Sequence, residues 1–247
     1  MSVNYKLNET YHSLKNFVLN IPSIFHASTL SIHKARNELK TIDVNGIDTV
    51  VKSFKIPNII NKIAYSYFRD SKAKKSYEYS LKIGNYTPTP IAYIEFFRFG
   101  LLSNSYFISE EFKYDFTIRE PLLDDSFKER EEIFKAFARF TLELHSSNIF
   151  HNDYSPGNIL IQRLKEGYKF QIVDINRMNF FPLSEDDRAK NFSKLWADDA
   201  TLNTIAREYK KHFLCSDDFV NKVLTYSNDN KRVKNFKKRL KGKPVND

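Results

Sequence analysis

The segment 151-HNDYSPGNILI-161 sets the tightest limits on what this chain can become. A polar loop carrying Asp153, Pro156, Gly157 and Asn158 runs straight into an apolar stretch, 158-NILIQRL-164. A second stretch, 168-YKFQIVD-174, ends on Asp174, and a turn at Gly167 joins the two. Both are short and rich in β-branched or aromatic residues, with turn residues at their ends, so they read as paired strands. Asp174 is then pushed out at the rim of its strand, Asn158 begins the neighbouring strand at the same point, and Asp153 projects from the loop close by.

Oxygen donors grouped in this way suit a hard cation. Mg²⁺ prefers oxygen ligands and completes its shell with phosphate oxygens and water. Asp153, which need not be a ligand, can accept the proton of an attacking hydroxyl and orient it. The spacing H-x-D-x-x-x-x-N, followed by an aspartate after a short hairpin, is the pattern of phosphoryl transfer in kinases. A polar turn without chemistry is the competing reading. His151 is expected to pack and hydrogen-bond within the loop and not to act as the base.

Such chemistry also needs a lysine on a strand to hold phosphates and a helix glutamate to hold that lysine. The segment 49-TVVKSF-54 offers Lys52, and 74-KKSYEYSLK-82 offers Glu78 downstream. Lys55 competes with Lys52 but lies on the opposite strand face by period two. Around these candidates, residues 30–54 read as strands with an Asn45-Gly46 hairpin turn. Pro57 opens a helical region that continues to a stop at Gly84. Residues 91–100 and 105–112 read as further strands. A long helix follows at 127–147, with Ser126 and Glu129 as a capping pair and Ile133, Phe134, Phe137, Thr141 and Leu144 on one face. From about 185 the chain reads as helical. The expected fold class is α+β, with an N-lobe at 1–112 (antiparallel sheet plus a long helix), a helical C-lobe at 113–230 and a basic tail at 231–247.

Bulk properties narrow the setting. The 247 residues are 41% hydrophobic and 28% charged, which suits a folded globular chain. A single cysteine, Cys215, excludes a disulfide framework. The N-terminus lacks a signal-like pattern, and no apolar run reaches the ~20 residues of a membrane span. A cytoplasmic location follows. The net charge is +9, of which +7 falls in 231-KRVKNFKKRLKGKPVND-247. Val233, Phe236 and Leu240 form a thin apolar stripe there at helical spacing. The tail therefore reads as a solvated end or as peripheral contact with the anionic inner face of the cytoplasmic membrane; nucleic acid is not an expected partner.

Taken together, 34-KARNELK-40, 50-VVKSFKIP-57, 72-KAKKSYEYSLKIGNYTPTPIAYIE-95, 151-HNDYSPGNIL-160 and 172-IVDINRMNF-180 resemble the protein-kinase-like superfamily. More narrowly they resemble the bacterial lipopolysaccharide kinases of the Kdo and heptose group. The resemblance implies a bilobal protein-kinase-like fold and transfer of the ATP γ-phosphate to a sugar hydroxyl of the lipopolysaccharide core or a lipid A precursor. It implies Asp153 as catalytic base, Asn158 and Asp174 as Mg²⁺ ligands, and Lys52 on phosphate, paired with Glu78. It also implies that backbone groups around Glu110 and Glu111 border the adenine.

Departures from the family pattern are plain. The turn at 34-KARNE-38 has no glycine, so Arg36 or Asn37 would replace backbone contacts with side-chain ones. Asn152 stands where an arginine is usual, Ile175-Asn176 follow Asp174 in place of Phe-Gly, and no Ala-Pro-Glu appears. Sugar phosphorylation is thereby favoured over protein phosphorylation. A kinase of the same fold for another small molecule or for protein, and a non-catalytic pseudokinase scaffold, stay open. Arg177, Arg188, Lys190 and Lys194 are candidates to face an anionic sugar.

Overall fold

The computed structural model describes residues 2–29, 31–34, 37–54 and 58–242. The chain divides into two compact units, Met1–Lys113 with Asp174–Asn176, and Tyr114–Val173 with Arg177–Asp247.

The first unit is built on strands β1 (Ser2–Leu7), β2 (Ser31–Lys34), β3 (Glu38–Val44), β4 (Ile47–Ser53), β5 (Pro90–Arg98) and β6 (Leu101–Glu110). They form one sheet in the order β1-β5-β6-β4-β3-β2, with every neighbouring pair antiparallel. Asn45 and Gly46 make the tight β3–β4 turn, with φ of 55° and 79°. Positive φ at both central residues is what a two-residue hairpin demands. A 3-10 turn and the short helices α1 (Lys15–Leu19) and α2 (Ile21–Ala27) precede β2. They bury Leu14, Val18, Ile21 and Phe25 in one core cluster with Val51, Ile94 and Ile108. Each such side chain contributes about 1.5–3 kcal/mol by leaving water. Strand β1 was not expected, although Val3, Tyr5 and Leu7 carry its period-two signal.

Residues 58–85 do not form a single helix. Helix α3 (Ile59–Tyr67) ends before α4 (Lys72–Ile83) begins. Ser71 restarts the chain by accepting the Lys74 amide at 3.1 Å, the N-cap bond that serine favours. Gly84 ends α4 with φ of 57°. Helix α4 packs Ala73 and Tyr77 against Phe54 and Tyr93 in a second cluster. Pro57 and Lys55 lie outside the described residues.

The second unit opens with β7 (Phe116–Thr117), α5 (Arg119–Leu123) and α6 (Arg130–Ser146). Strands β8 (Ile149–His151), β9 (Ile159–Arg163), β10 (Tyr168–Ile172) and β11 (Met178–Phe180) follow, then α7 (Glu185–Asn191), α8 (Asp199–Lys211) and α9 (Phe219–Arg239). The β9–β10 hairpin turns at Gly167, and β8 pairs with β11. All five residues expected on one face of α6 are buried. Its start differs from expectation. Ser126 bonds Asp124, while Glu129 takes a left-handed conformation without a capping bond. The Glu129 carboxylate instead accepts from Arg163 and Tyr168, and those partners outcompete the cap. Helix α9 continues through residue 231, so residues 231–239 of the basic segment form the second part of a 21-residue helix. Among the described residues, no helix is long and apolar enough to cross a membrane.

Candidate active site

Within the second unit, the loop between β8 and β9 is closed by its own hydrogen bonds. The Asp153 carbonyl accepts from the Ser155 amide at 2.7 Å and from Asn158 Nδ2 at 2.9 Å. With its NH₂ committed inward, Asn158 keeps its Oδ1 as an acceptor. The Asn158 carbonyl accepts the Val173 amide at 2.9 Å, which ties the loop to the residue before Asp174. His151 is buried. Its Nδ1 accepts the Asp153 amide at 3.1 Å, and its Nε2 then donates to the Val173 carbonyl at 3.0 Å. Those partners fix a neutral tautomer, because a proton on Nδ1 would face the amide N–H. The expected structural role of His151 therefore has a geometry. Tyr154, fully buried, stacks on Phe137 and shares a 2.9 Å hydrogen bond with Thr141. Burial pushes its phenol far above the usual range. A Cβ at Gly157 would meet Arg119 Nη2 at 2.7 Å, so glycine there lets the guanidinium lie close over the loop.

A second layer supports this loop from behind. Asn191 donates to the His151 carbonyl at 2.9 Å and accepts from His145 at 3.0 Å. His145 Nδ1 meets the Tyr209 hydroxyl at 2.9 Å, and that hydroxyl also accepts from Arg188 at 2.9 Å. Burial holds His145 down at about 4, so it is neutral at pH 7. The network corrects one expectation. Arg188 does not face a sugar; it is buried, with its guanidinium 4.3 Å from the Phe213 ring. Arg177 and Lys190 are exposed, and the Arg177 carbonyl accepts from Asn152.

Within the first unit, Asp174 has φ of 58°. A left-handed conformation costs an ordinary residue roughly 1–2 kcal/mol, and aspartate tolerates it better than most. The carboxylate is held there by Lys52 Nζ at 2.6 Å and by Asn176 Nδ2 at 2.8 Å. Period two along β4 explains Lys52. Val51 is buried in the core, so its neighbour points to the other face. The role of Asn176 was missed; an asparagine two residues after an aspartate, 174-DIN-176, was the available signal.

Two other expectations meet different geometry. Glu78 lies 3.9 Å from Lys74, with its side chain 44% exposed, while the ion pair of Lys52 is with Asp174. The amides of Glu110 and Glu111 donate to Thr89 and Asp48 at 2.9 and 2.8 Å. Adenine contacts near them would therefore come from carbonyl oxygens or from amides further along. The Glu110 side chain accepts the Tyr11 hydroxyl at 2.6 Å. Burial, reinforced by that carboxylate, pushes the Tyr11 phenol well above its usual range. Arg36, in the glycine-free turn, lies outside the described residues. Among the described residues, no cluster of three or more His, Cys, Asp or Glu forms a self-sufficient metal site.

No curated protein matches the chain. The solved structure of WaaP in complex with acyl carrier protein is similar, with a TM-score of 0.60 and 14% identity, covering 93% of this chain and 99% of that one. At that identity the likeness shows a shared fold, here a mixed α+β, protein-kinase-like one with a sheet-rich N-terminal part and a helical C-terminal part. The family model described as lipopolysaccharide kinase (Kdo/WaaP) matches residues 88–212, just over half of the chain and inclusive of the whole loop from His151 to Asp174. On that match the chain belongs to the lipopolysaccharide kinase (Kdo/WaaP) family.

Proposed function

We infer that the chain transfers the γ-phosphoryl group of ATP to a sugar hydroxyl of the lipopolysaccharide inner core, on Kdo or a heptose. The observation that carries this reading is the self-closed loop from His151 to Asn158. It leaves the Asp153 carboxylate and the Asn158 Oδ1 among the oxygens not spent on holding the loop. In the reaction, the acceptor oxygen bonds to the γ-phosphorus as the bond to the ADP oxygen breaks. Asp153 takes the hydroxyl proton. Lys52 offsets phosphate charge, and Asp174 is kept in position by Asn176.

A carboxylate from Asp174 and an amide oxygen from Asn158 fit Mg²⁺ that arrives with the nucleotide and keeps phosphate and water ligands. When bound, Mg²⁺ would neutralise charge on the phosphates. The exposed Val233 and Phe236 on basic α9, with Leu240 at its C-cap, support peripheral contact with an anionic membrane surface or with a lipid-linked acceptor.

The test offers labelled ATP together with purified lipid-linked Kdo core. Label is expected in the glycolipid with the wild type and not with Asp153→Ala. Label in polypeptide would favour a protein kinase. Nucleotide binding without any transfer would favour the scaffold.

A further inference from the structure

The second unit holds a group of lysines, Lys194 of the sequence candidates among them, whose surroundings have yet to be given a role. Trp196, the chain's sole tryptophan, has φ of 59°. For so bulky a residue that backbone conformation is an outlier, which persists only where the surroundings enforce it. On one side of the indole stands α9. Lys234 Nζ lies 4.4 Å from the ring centroid and Lys238 Nζ lies 5.9 Å away, the two being one helical turn apart. The helix is fixed there by two bonds that flank Trp196. Asn230 donates to the Ser193 carbonyl and Lys231 to the Ala197 carbonyl, each at 2.7 Å.

The charge at this place is unbalanced. Burial, then the positive charge of Lys194, hold the Lys234 ammonium below the usual lysine range; Asp153 pulls the other way, and Lys238 adds to the fall. Lys194, Lys238 and Asp153 are therefore all within electrostatic reach of one partly buried amine. Some lysines elsewhere in the unit have acids beside them, as Lys210 has Asp217 and Lys222 has Glu185. Among the described residues, no carboxylate forms an ion pair with Lys194, Lys234 or Lys238. Ammonium groups within such reach repel one another, and an anion placed among them removes that cost.

We propose that Lys234 and Lys238, which lie over Trp196, together with Lys194 two residues before that indole, form the subsite that holds an anionic group of the acceptor, a carboxylate or a phosphate, while Asp153 meets its hydroxyl. The proposal rests on the reading of Asp153 given above. It makes the basic half of α9 a substrate-binding element through one face, whatever the opposite face touches.

Trp196 supplies a readout that needs no turnover, because all intrinsic tryptophan fluorescence comes from this position. The full chain, without ATP, is titrated with deacylated Kdo-containing inner-core oligosaccharide. A saturable fluorescence change is expected, with affinity weakened roughly tenfold or more in Lys234→Gln/Lys238→Gln. Recovery is expected in Lys234→Arg/Lys238→Arg, which keeps the charge and guards against a folding artefact. Methyl-esterified and phosphatase-treated oligosaccharides then separate the two anion sources, since the neutralised source is the one whose loss weakens binding. No saturable change, equal affinity in the Gln variant, or indifference to both neutralisations would overturn the subsite. Such a result leaves the phosphotransfer role of Asp153 standing; conversely, absent phosphotransfer leaves this binding test valid.

Discussion

The loop His151–Asn158 and the pair Lys52–Asp174 are held by different physics. The loop depends on neutral hydrogen bonds with near neighbours or its own hairpin, backed by the buried Tyr154, Asn191 and His145. The pair is a single ionic contact between residues 122 positions apart, on a carboxylate in a left-handed conformation. Neutral, buried bonds are indifferent to salt and keep one geometry. A partly exposed ion pair is weaker as structure and exchanges partners more easily. The contrast suits the roles proposed above, a rigid proton acceptor in the loop and phosphate-handling groups at the pair.

The comparison is tested most strongly by removing charge from the pair. Asp174→Ala and Lys52→Ala should each lower kcat/KM about a hundredfold to a thousandfold, with circular dichroism and melting temperature little changed. A loss below threefold in either would make the contact incidental. The loop side answers to acid. His145 falls from 6.5 to about 4 on folding, so the unfolded chain takes up a proton in that interval that the folded chain refuses. Stability is therefore complete above pH 6.5 and declines as pH falls toward 4, by about 3 kcal/mol. Glu208, drawn down to about 2 chiefly by Lys211, acts in a separate window below its ordinary 4.5. Urea denaturation at pH 7 and pH 4.5 measures the difference. A stability unchanged between the two would contradict a neutral His145 behind the loop. The smallest effect belongs to Glu78→Ala, which should alter the KM for ATP less than about threefold, as for an exposed pair. A hundredfold change would restore Glu78 as the partner of Lys52 during turnover.

The same contrast explains how much was legible in the sequence. Asp153, Asn158 and Asp174 sit at fixed short spacings beside strand patterns, so local rules suffice to find them. Lys52 follows from strand period, but its partner does not. Glu78 has the right order along the chain, yet α4 places it beside Lys74, and only tertiary contacts decide that. The split between α3 and α4 turned on Ser71, one cap inside an otherwise continuous helical pattern. Arg188 looked like a surface cation because nothing local announces Tyr209 and Phe213 as its neighbours. Trp196 and Lys234 meet only because α9 packs beside the segment 193–197, a contact that composition cannot express.

The central claim is that Asp153 receives the acceptor's proton during phosphoryl transfer. Single-turnover transfer from labelled ATP, with nucleotide affinity measured in parallel, compares wild type with Asp153→Asn. A loss of about a hundredfold to ten-thousandfold in the transfer rate, with nucleotide affinity within a factor of about two, is the predicted result. Transfer at the wild-type rate in Asp153→Asn would contradict the account.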